Sequence, residues 1–294
     1  MSDPELSDRD VTQLHLLGVG SMYLVAIGFL LFGLTSAAGA DPVFDRFISK
    51  VRKEAAGQGI SERYLVNLDR LTPEHEVTRL ASSQPEYVKP IWAYLDHLIT
   101  PNRLTLGREK LIAYRPYLDR LETQYGVPVG IIVAIWGVET NYGSNKGSFH
   151  VLQALATLGY EGRRAKFGHQ QLLAALQILQ SGDVTINNFY GSWAGAMGHT
   201  QFIPTTYLAY AADGTGDGKR DVWTSPHDAL ASTANYLKVS GWQRGMPWGF
   251  EVALPENFDY GVAGLDQRAP AARWRERQVR AARGTKELAD GLGE

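Results

Sequence analysis

The sequence contains no cysteine in 294 residues. This absence excludes disulfide bonds, thiolate metal sites, cysteine nucleophiles and lipid attachment through a cysteine side chain. An excess of charge of one sign is also lacking. The net charge is −2, and without the first forty residues 28 basic residues stand against 27 acidic ones. No strong electrostatic field therefore favours nucleic acid as a partner.

Repeats and low-complexity linkers are absent too, and 44% hydrophobic with 20% charged residues is typical of a globular protein. One long uncharged apolar run, residues 16–34, lies near the start and precedes the small-x-small site Ala38-Gly39-Ala40. This pattern predicts a signal peptide and an exported, periplasmic protein that begins at Asp41. The leading segment is acidic and the run is long enough to span a bilayer, so an uncleaved N-terminal membrane anchor stays open as the alternative.

From Asp41 onward the apolar spacing is mostly helical. Val43, Phe47 and Val51 recur at i, i+4 and i+8, and a leucine stripe within residues 172–179 stops at residues 181–182. Another helix is predicted from about Pro226 to Val239. The fold class is therefore mainly α.

Two segments of the second half differ from this helical pattern. Residues 187–201 are rich in Gly, Ser and Asn, which indicates irregular backbone. Residues 252–254 are strand-like, and an arginine-rich stretch, residues 273–283, follows without a clear closing element. Minor β elements are therefore expected toward the C-terminus.

One glutamate has a setting that suits proton transfer. Pro128 fits the first turn of a helix, and the apolar run of residues 129–138 continues to Gly143 as a stop signal, so Glu139 is expected in the last turn of a buried helix. Apolar surroundings and the negative end of the helix dipole both disfavour its charged form and raise its pKa. Such a group can hold a proton near neutral pH and donate it to a leaving oxygen. From this helix alone, a partly buried structural glutamate remains the alternative.

Five separated motifs accompany this glutamate: GVETNYG (137–143), LATL (155–158), RRA (163–165), GAMGHTQFIP (195–204) and ANYL (234–237). In order and spacing they resemble the membrane-bound lytic murein transglycosylase B family, over about residues 85–250. The resemblance implies a lysozyme-like α-helical catalytic core. It also implies cleavage of the β-1,4 bond between N-acetylmuramic acid and N-acetylglucosamine in peptidoglycan, with formation of a 1,6-anhydromuramyl end.

The resemblance also implies roles for single residues. Glu139 matches the catalytic glutamate. No second carboxylate is needed, because the substrate's acetamide stabilises the reacting carbon and its C6 hydroxyl attacks that carbon. No catalytic cofactor is implied. Ser192 and Gln201 match residues that line the active-site floor. The positions that match substrate-contacting residues are Tyr94, Arg163, Arg164, Tyr236 and Phe167, the last of which is a tyrosine in some members.

Residues 213–221 resemble the first half of an EF-hand loop, with side-chain oxygens at positions one, three and five and a glycine at six. Position twelve is Thr224 instead of glutamate, and the family resemblance implies that Asp228 closes a lengthened loop. The sequence therefore predicts an EF-hand-like structural calcium site, with Asp221 as a substitute or water-mediated ligand. A turn without metal stays open. The predicted ligands are Asp213, Thr215, Asp217, the carbonyl of Lys219, and Asp228.

These expectations divide the chain into residues 1–40 (signal peptide or anchor), 41–250 (catalytic domain) and 251–294. The last segment is shorter than in family members, which usually continue into an aromatic-Asn pair and several tyrosines. The expected partner of the monomer is peptidoglycan, not nucleic acid. Three alternatives remain: a muramidase that hydrolyses the same bond, a catalytically impaired peptidoglycan-binding protein, and a calcium-binding structural protein.

Overall fold

The computed structural model describes residues 41–82, 91–264 and 266–282. The predicted signal peptide or membrane anchor, residues 1–40, lies outside these residues. The chain from Asp41 onward forms one compact unit. Within the described residues, no single helix combines the length and the hydropathy of a membrane span.

Helix α1, Pro42–Gly57, begins directly after the predicted cleavage site. The Asp41 carboxylate accepts hydrogen bonds from the backbone N–H groups of Val43 and Phe44, which caps the helix. The buried face carries Phe44, Val51 and Ala55, whereas Val43 is 47% exposed. The predicted stripe is therefore wrong at its first position, because Phe44 takes the place in the core that Val43 was expected to fill.

The described chain is mainly helical, as predicted. The helices after α1 are α2 (Glu62–Leu65), α3 (His75–Ser82), α4 (Ile91–Leu98), α5 (Pro101–Ala113), α6 (Arg115–Tyr125), α7 (Val129–Thr140), α8 (Val151–Tyr160), α9 (Ala165–Ser181), α10 (Pro204–Tyr210), α11 (Pro226–Val239) and α12 (Ala271–Glu276). Short 3-10 turns occur at Leu68–Arg70, Ile186–Asn188 and Tyr260–Val262. The prediction for α11 is confirmed at both ends.

Helices α8 and α9 pack together in the larger hydrophobic cluster. The predicted leucine stripe, residues 172–179, is buried, and α9 ends where Gly182 adopts a left-handed conformation with φ of 83°. A Cβ atom on Gly168 of α9 would lie 2.4 Å from the backbone nitrogen of Gly159 in α8. The two backbones therefore approach too closely for a side chain at this crossing.

A second hydrophobic cluster joins α6, α7 and α11 around the buried side chains of Leu118, Ile132, Trp136 and Leu230. It covers one side of α7. The other side of α7 faces away from this cluster. Glu139 lies on that side and is exposed to solvent.

The strands are short and pair antiparallel. β1 (Phe149–His150) pairs with β2 (Tyr190–Gly191), and β3 (Val252–Ala253) pairs with β4 (Arg280–Ala281). The strand-like segment near residue 252 is confirmed. The arginine-rich stretch contains both α12 and β4, and the expected end without a closing element lies outside the described residues.

Candidate active site

Glu139 lies in the last turn of α7, as predicted, but the helix ends earlier than expected. Asn141 is the C-cap with φ of 49°, and Tyr142 continues in the left-handed region with φ of 59°. Gly143 therefore follows the end of the helix instead of marking it. The Tyr142 hydroxyl donates to the carbonyl of Arg103 at 2.9 Å, which ties this turn to α5.

The expectation of a buried helix is wrong on one face of α7. Val138 is 45% exposed, and Glu139 beside it is also exposed. This face of α7 forms one wall of a groove of about 770 Å³, and Trp242, Met246 and Trp248 line the groove with it. A helix that is apolar on all sides carries no signal for which side is covered, so the sequence pattern could not reveal this face.

The pKa of the Glu139 carboxyl is shifted in the predicted direction. Burial raises it, because the apolar groove walls reduce solvation of the charged form even though part of the side chain reaches solvent. In the described parts of the chain, the carboxyl group has no hydrogen-bond or ion-pair partner that would stabilise its charge. Glu139 is therefore suited to donate a proton.

Ser192 and Gln201 lie at the two sides of the Gly-Ala-Met-Gly loop. The Ser192 hydroxyl accepts a hydrogen bond from the Ala196 N–H at 3.0 Å. Gln201 has φ of 53°, and its side-chain amide donates to the carbonyls of Gly198 at 3.0 Å and Lys146 at 3.3 Å. The loop is thus a closed turn held by its own backbone and by these two side chains.

This loop is joined directly to the Glu139 helix. The Thr140 hydroxyl donates to the carbonyl of His199 at 2.6 Å. Because Thr140 follows Glu139 and His199 precedes Gln201 by two residues, the contact brings two predicted parts of the site together. Tyr236 of α11 is 38% exposed and packs edge-to-face on Phe202, the residue after Gln201.

The other predicted substrate contacts lie elsewhere. Arg163 and Arg164 line a separate cavity of about 500 Å³ beside α3, and the Arg164 guanidinium lies 5.1 Å from the centre of the Trp193 ring, next to Ser192. Phe167 is partly buried and packs against the core. Tyr94 on α4 is 41% exposed, and no ring contact or hydrogen bond joins it to another predicted site residue within the described ranges.

The predicted calcium loop is closed by hydrogen bonds. The buried Asp228 carboxylate accepts from the N–H groups of Gly214 at 2.9 Å, Thr215 at 3.1 Å and Asp221 at 2.9 Å. Burial raises the pKa of Asp228, and these hydrogen bonds act in the opposite direction.

The other carboxylates of the loop also contact backbone groups. Asp213 accepts hydrogen bonds from the N–H groups of Gly218 at 2.8 Å and Gly216 at 2.6 Å, which lower its pKa, and Asp217 accepts from Lys219 at 2.9 Å. Across residues 41–82, 91–264 and 266–282, no group of three or more His, Asp or Glu side chains is arranged to hold a metal. The carboxylates of the loop thus accept hydrogen bonds from backbone N–H groups of the same loop, and no reaction step is assigned to a calcium ion.

Three aromatic or sulfur-bearing residues of the Glu139 groove were not predicted as site residues. Trp242, Met246 and Trp248 follow α11 in a segment that the sequence marks only by its Trp, Gly and Pro content. The Trp242 indole N–H is buried and has no hydrogen-bond partner among the described residues. The cluster of tryptophans immediately after a predicted helix was the only available signal.

A mainly helical fold with a carboxyl group of raised pKa in an open groove is the arrangement expected of a lysozyme-like domain. The family model described as the transglycosylase SLT domain matches residues 43–292. The chain therefore belongs to the transglycosylase SLT domain family.

Known relatives agree with this assignment. The chain is 40% identical over 190 residues to membrane-bound lytic murein transglycosylase B of Escherichia coli (strain K12), covering 60% of this chain and 52% of that relative. It thus spans about half the length of this relative.

Solved structures share the fold. SltB3 from Pseudomonas aeruginosa, crystallised in complex with NAG-NAM-pentapeptide, is 47% identical with a TM-score of 0.80, covering 86% of this chain and 68% of that chain. The Escherichia coli lytic transglycosylase Slt35 in complex with calcium is 30% identical with a TM-score of 0.71, covering 85% and 80% of the respective chains. The predicted lysozyme-like helical core is confirmed by these matches.

Proposed function

We propose that this protein is a peptidoglycan lytic transglycosylase in which Glu139 is the single catalytic acid and base. The observation that carries the proposal is the Glu139 carboxyl group in an apolar groove, where burial raises its pKa and no described residue pairs with it. Membership of the transglycosylase SLT domain family supports it. The names of the relatives support the same substrate, because one is a murein transglycosylase and another binds a NAG-NAM-pentapeptide.

In the first step, protonated Glu139 donates its proton to the glycosidic oxygen between N-acetylmuramic acid and N-acetylglucosamine as the C1–O bond breaks. The electron pair of that bond leaves with the oxygen, which becomes the hydroxyl of the departing sugar. The acetamide oxygen of the muramic acid stabilises the electron-poor C1 centre from within the substrate. The groove supports this step because it keeps Glu139 protonated to a higher pH than free glutamate.

In the second step, the C6 hydroxyl of the same muramic acid attacks C1 and forms the 1,6-anhydro bridge. The Glu139 carboxylate produced in the first step removes the proton from that hydroxyl and returns to its starting state. Most glycosidases need two carboxyl groups, one as acid and one as nucleophile or base for water. Here one group serves both steps, and the described groove residues around Glu139 are otherwise uncharged.

The remaining predicted residues have supporting roles in this proposal. Ser192 and Gln201 are assigned to the floor of the site, and the closed loop that Thr140 joins to α7 supports this assignment. Tyr236 adds an aromatic face beside that loop. The more distant glycan and peptide contacts are assigned to Tyr94, Arg163, Arg164 and Phe167.

The reaction requires no cofactor, and calcium at residues 213–228 stays a prediction with a structural role. Its support is the order of oxygen-bearing residues and the calcium complex of Slt35. Each carboxylate oxygen has two lone pairs, so the backbone hydrogen bonds of Asp213 and Asp217 leave capacity for a metal.

The protein is proposed to act in the periplasm as a monomer, either released at Asp41 or held by its N-terminal apolar segment. Peptidoglycan as the substrate supports this location, and the related murein transglycosylase B is named as membrane-bound.

The product end of digested peptidoglycan tests the proposed function. Mass spectrometry of the released muropeptides is expected to show 1,6-anhydromuramic acid. Reducing muramic acid, heavier by one water, would instead identify a muramidase. Binding to peptidoglycan without release of muropeptides would identify a binding protein.

A further inference from the structure

His199 occupies a buried position directly beneath the end of the Glu139 helix. It is 7% exposed, and its backbone N–H donates to the carbonyl of Val222 at 2.9 Å. Trp136 Nε1 donates to His199 Nδ1 at 3.1 Å, and the Thr140 hydroxyl donates to the His199 carbonyl at 2.6 Å. Both α7 contacts therefore come from residues that flank Glu139, three positions before it and one after it.

The partner of Nδ1 defines the state of the imidazole. An indole N–H can only donate, so Nδ1 must accept and the ring proton must lie on Nε2. A protonated ring would place two donors against each other and break the contact with Trp136. The contact thus exists only with a neutral imidazole.

The surroundings of the ring favour the same neutral state. Desolvation is the main effect, Lys146 and Lys110 act in the same direction, and Asp221 opposes them. Together they lower the pKa of His199 to about 4. The imidazole therefore stays neutral at the pH of the periplasm.

Close packing fixes the ring as well. A Cβ atom on Gly143 would lie 2.2 Å from His199 Nδ1, so only glycine leaves room for the ring there. The Trp136 and His199 rings meet edge-to-face with centres 5.7 Å apart. The Gly143 N–H also donates to the Thr140 hydroxyl at 2.9 Å, which closes the group of contacts around the end of α7.

We infer that His199 is a positioning residue for Glu139. Its neutral imidazole and its carbonyl clamp the last turn of α7 to the loop that carries Gln201, so that the carboxyl group and the floor of the site keep one relative position. This inference rests on the proposed function and deepens it. Loss of the clamp should lower turnover more than substrate binding, because small displacements of a reacting group reduce the rate steeply.

Two substitutions separate the clamp from simple packing. In His199→Asn, the side-chain oxygen takes the place of Nδ1 as an acceptor and cannot be protonated. In His199→Leu, the acceptor is lost while an apolar side chain fills the space. His150→Asn is the matched control, since His150 is a partly buried histidine that contacts the Ile186 carbonyl and the Tyr190 ring instead of α7.

The experiment measures kcat and KM for muropeptide release by the full chain, together with the pH dependence of kcat over the range in which each protein is folded. We expect His199→Leu to lower kcat at least about tenfold with KM within about twofold, and His199→Asn to retain kcat within about threefold. Wild-type kcat should fall as the pH approaches about 4, and this fall should be absent in His199→Asn. His150→Asn should match the wild type.

Equal kcat values for His199→Leu and wild type would overturn the positioning role, as would equal losses for the Asn and Leu variants. A wild-type protein that releases no muropeptides would instead remove the proposed function and the positioning role together. If a variant does not fold, nitrogen NMR of the His199 imidazole in the wild type tests the inference instead. It should show the Nε2–H tautomer of His199 down to about pH 5, and titration near its ordinary value of 6.5 would contradict the inference.

Discussion

Glu139, the proposed catalytic residue, has a carboxyl group whose negative charge has no nearby positive charge among the described residues to stabilise it. Its helix ends one residue later, so the partial negative charge of the α7 carbonyl end lies close to it. The groove adds desolvation, and within the described residues no cation pairs with the carboxylate. A catalytic acid is favoured by this setting, since every local effect opposes loss of the proton.

The raised pKa predicts the alkaline side of the pH profile. The proton-donating form of Glu139 is lost as the pH rises through its pKa. The value of kcat/KM should therefore fall through a single ionisation whose midpoint lies above the ordinary glutamate pKa of 4.5. The folded state binds this proton more tightly than the unfolded state. Its contribution to stability is therefore present at low pH and is lost as the pH rises through the folded pKa. A kcat/KM profile whose alkaline limb lies at or below 4.5 would contradict this setting of Glu139.

At the scale of the element, Tyr142 holds the end of α7 against α5, and its hydroxyl group lies in a slot formed by Gly137 of α7 and Gly107 of α5. A Cβ atom on Gly137 would lie 2.6 Å from the Tyr142 hydroxyl, and one on Gly107 would lie 2.4 Å from it. The Tyr142 ring also packs edge-to-face on Trp136, with centres 5.8 Å apart. The turn after Glu139 is thus fixed from two sides, by α5 and by the loop of His199.

Two glycine substitutions in the same helix test this slot. Gly137→Ala should lower the free energy of unfolding by about 1–3 kcal/mol, because the new methyl group overlaps a fixed ring. Gly130→Ala, where a Cβ meets nothing within 4 Å, should raise it by up to about 1 kcal/mol through helix propensity. Denaturant unfolding of both variants measures the difference, and equal effects would show that Tyr142 moves aside freely.

The loop of residues 213–228 is the second element with a specific prediction. Asp228→Ala should lower the melting temperature with or without calcium, because three backbone N–H groups lose their acceptor. Calcium at a hundredfold excess over its Kd should raise the wild-type midpoint by roughly 5–10 °C. Asp217→Ala should melt like the wild type in chelator and not respond to calcium. A wild-type midpoint that calcium leaves unchanged would show that the loop is only a turn.

At the scale of the whole molecule, the predicted cleavage site coincides with the start of the folded unit. Asp41 caps α1, so a protein cut after Ala40 would keep a complete first helix. Periplasmic protein is therefore expected to begin at Asp41, as N-terminal sequencing can determine. Membrane-extracted protein with residues 1–40 intact would favour the anchor.

The sequence predicts a structural feature when the residues that determine it are close together in the chain, and it does not when they are far apart. Caps and stop residues are local, and they place the end of α9 at Ser181 and both ends of α11, Pro226 and Val239, correctly. The end of α7 was missed because Asn141 and Tyr142 adopt left-handed conformations that tertiary contacts stabilise. The pairing of β3 with β4 joins residues almost thirty positions apart, and no local pattern indicates it.

The candidate site shows the same limit. Glu139 and Gln201 were predicted as site residues because each lies in a contiguous motif that carries the family resemblance. The contact of Trp136 with His199 spans 63 positions, and the groove wall at Trp242 and Trp248 is more than a hundred positions from Glu139. Only the folded chain reveals these neighbours.

The most direct test of the central claim is the turnover of Glu139→Gln on purified peptidoglycan, measured beside Glu109→Gln as a control on an exposed glutamate of α5. Glutamine keeps the shape of the side chain but cannot cycle a proton. Muropeptide release should therefore fall by about 10²–10⁴-fold or more, with a melting temperature no lower than that of the wild type, while the control stays active. Near wild-type release by a folded Glu139→Gln protein would contradict the account.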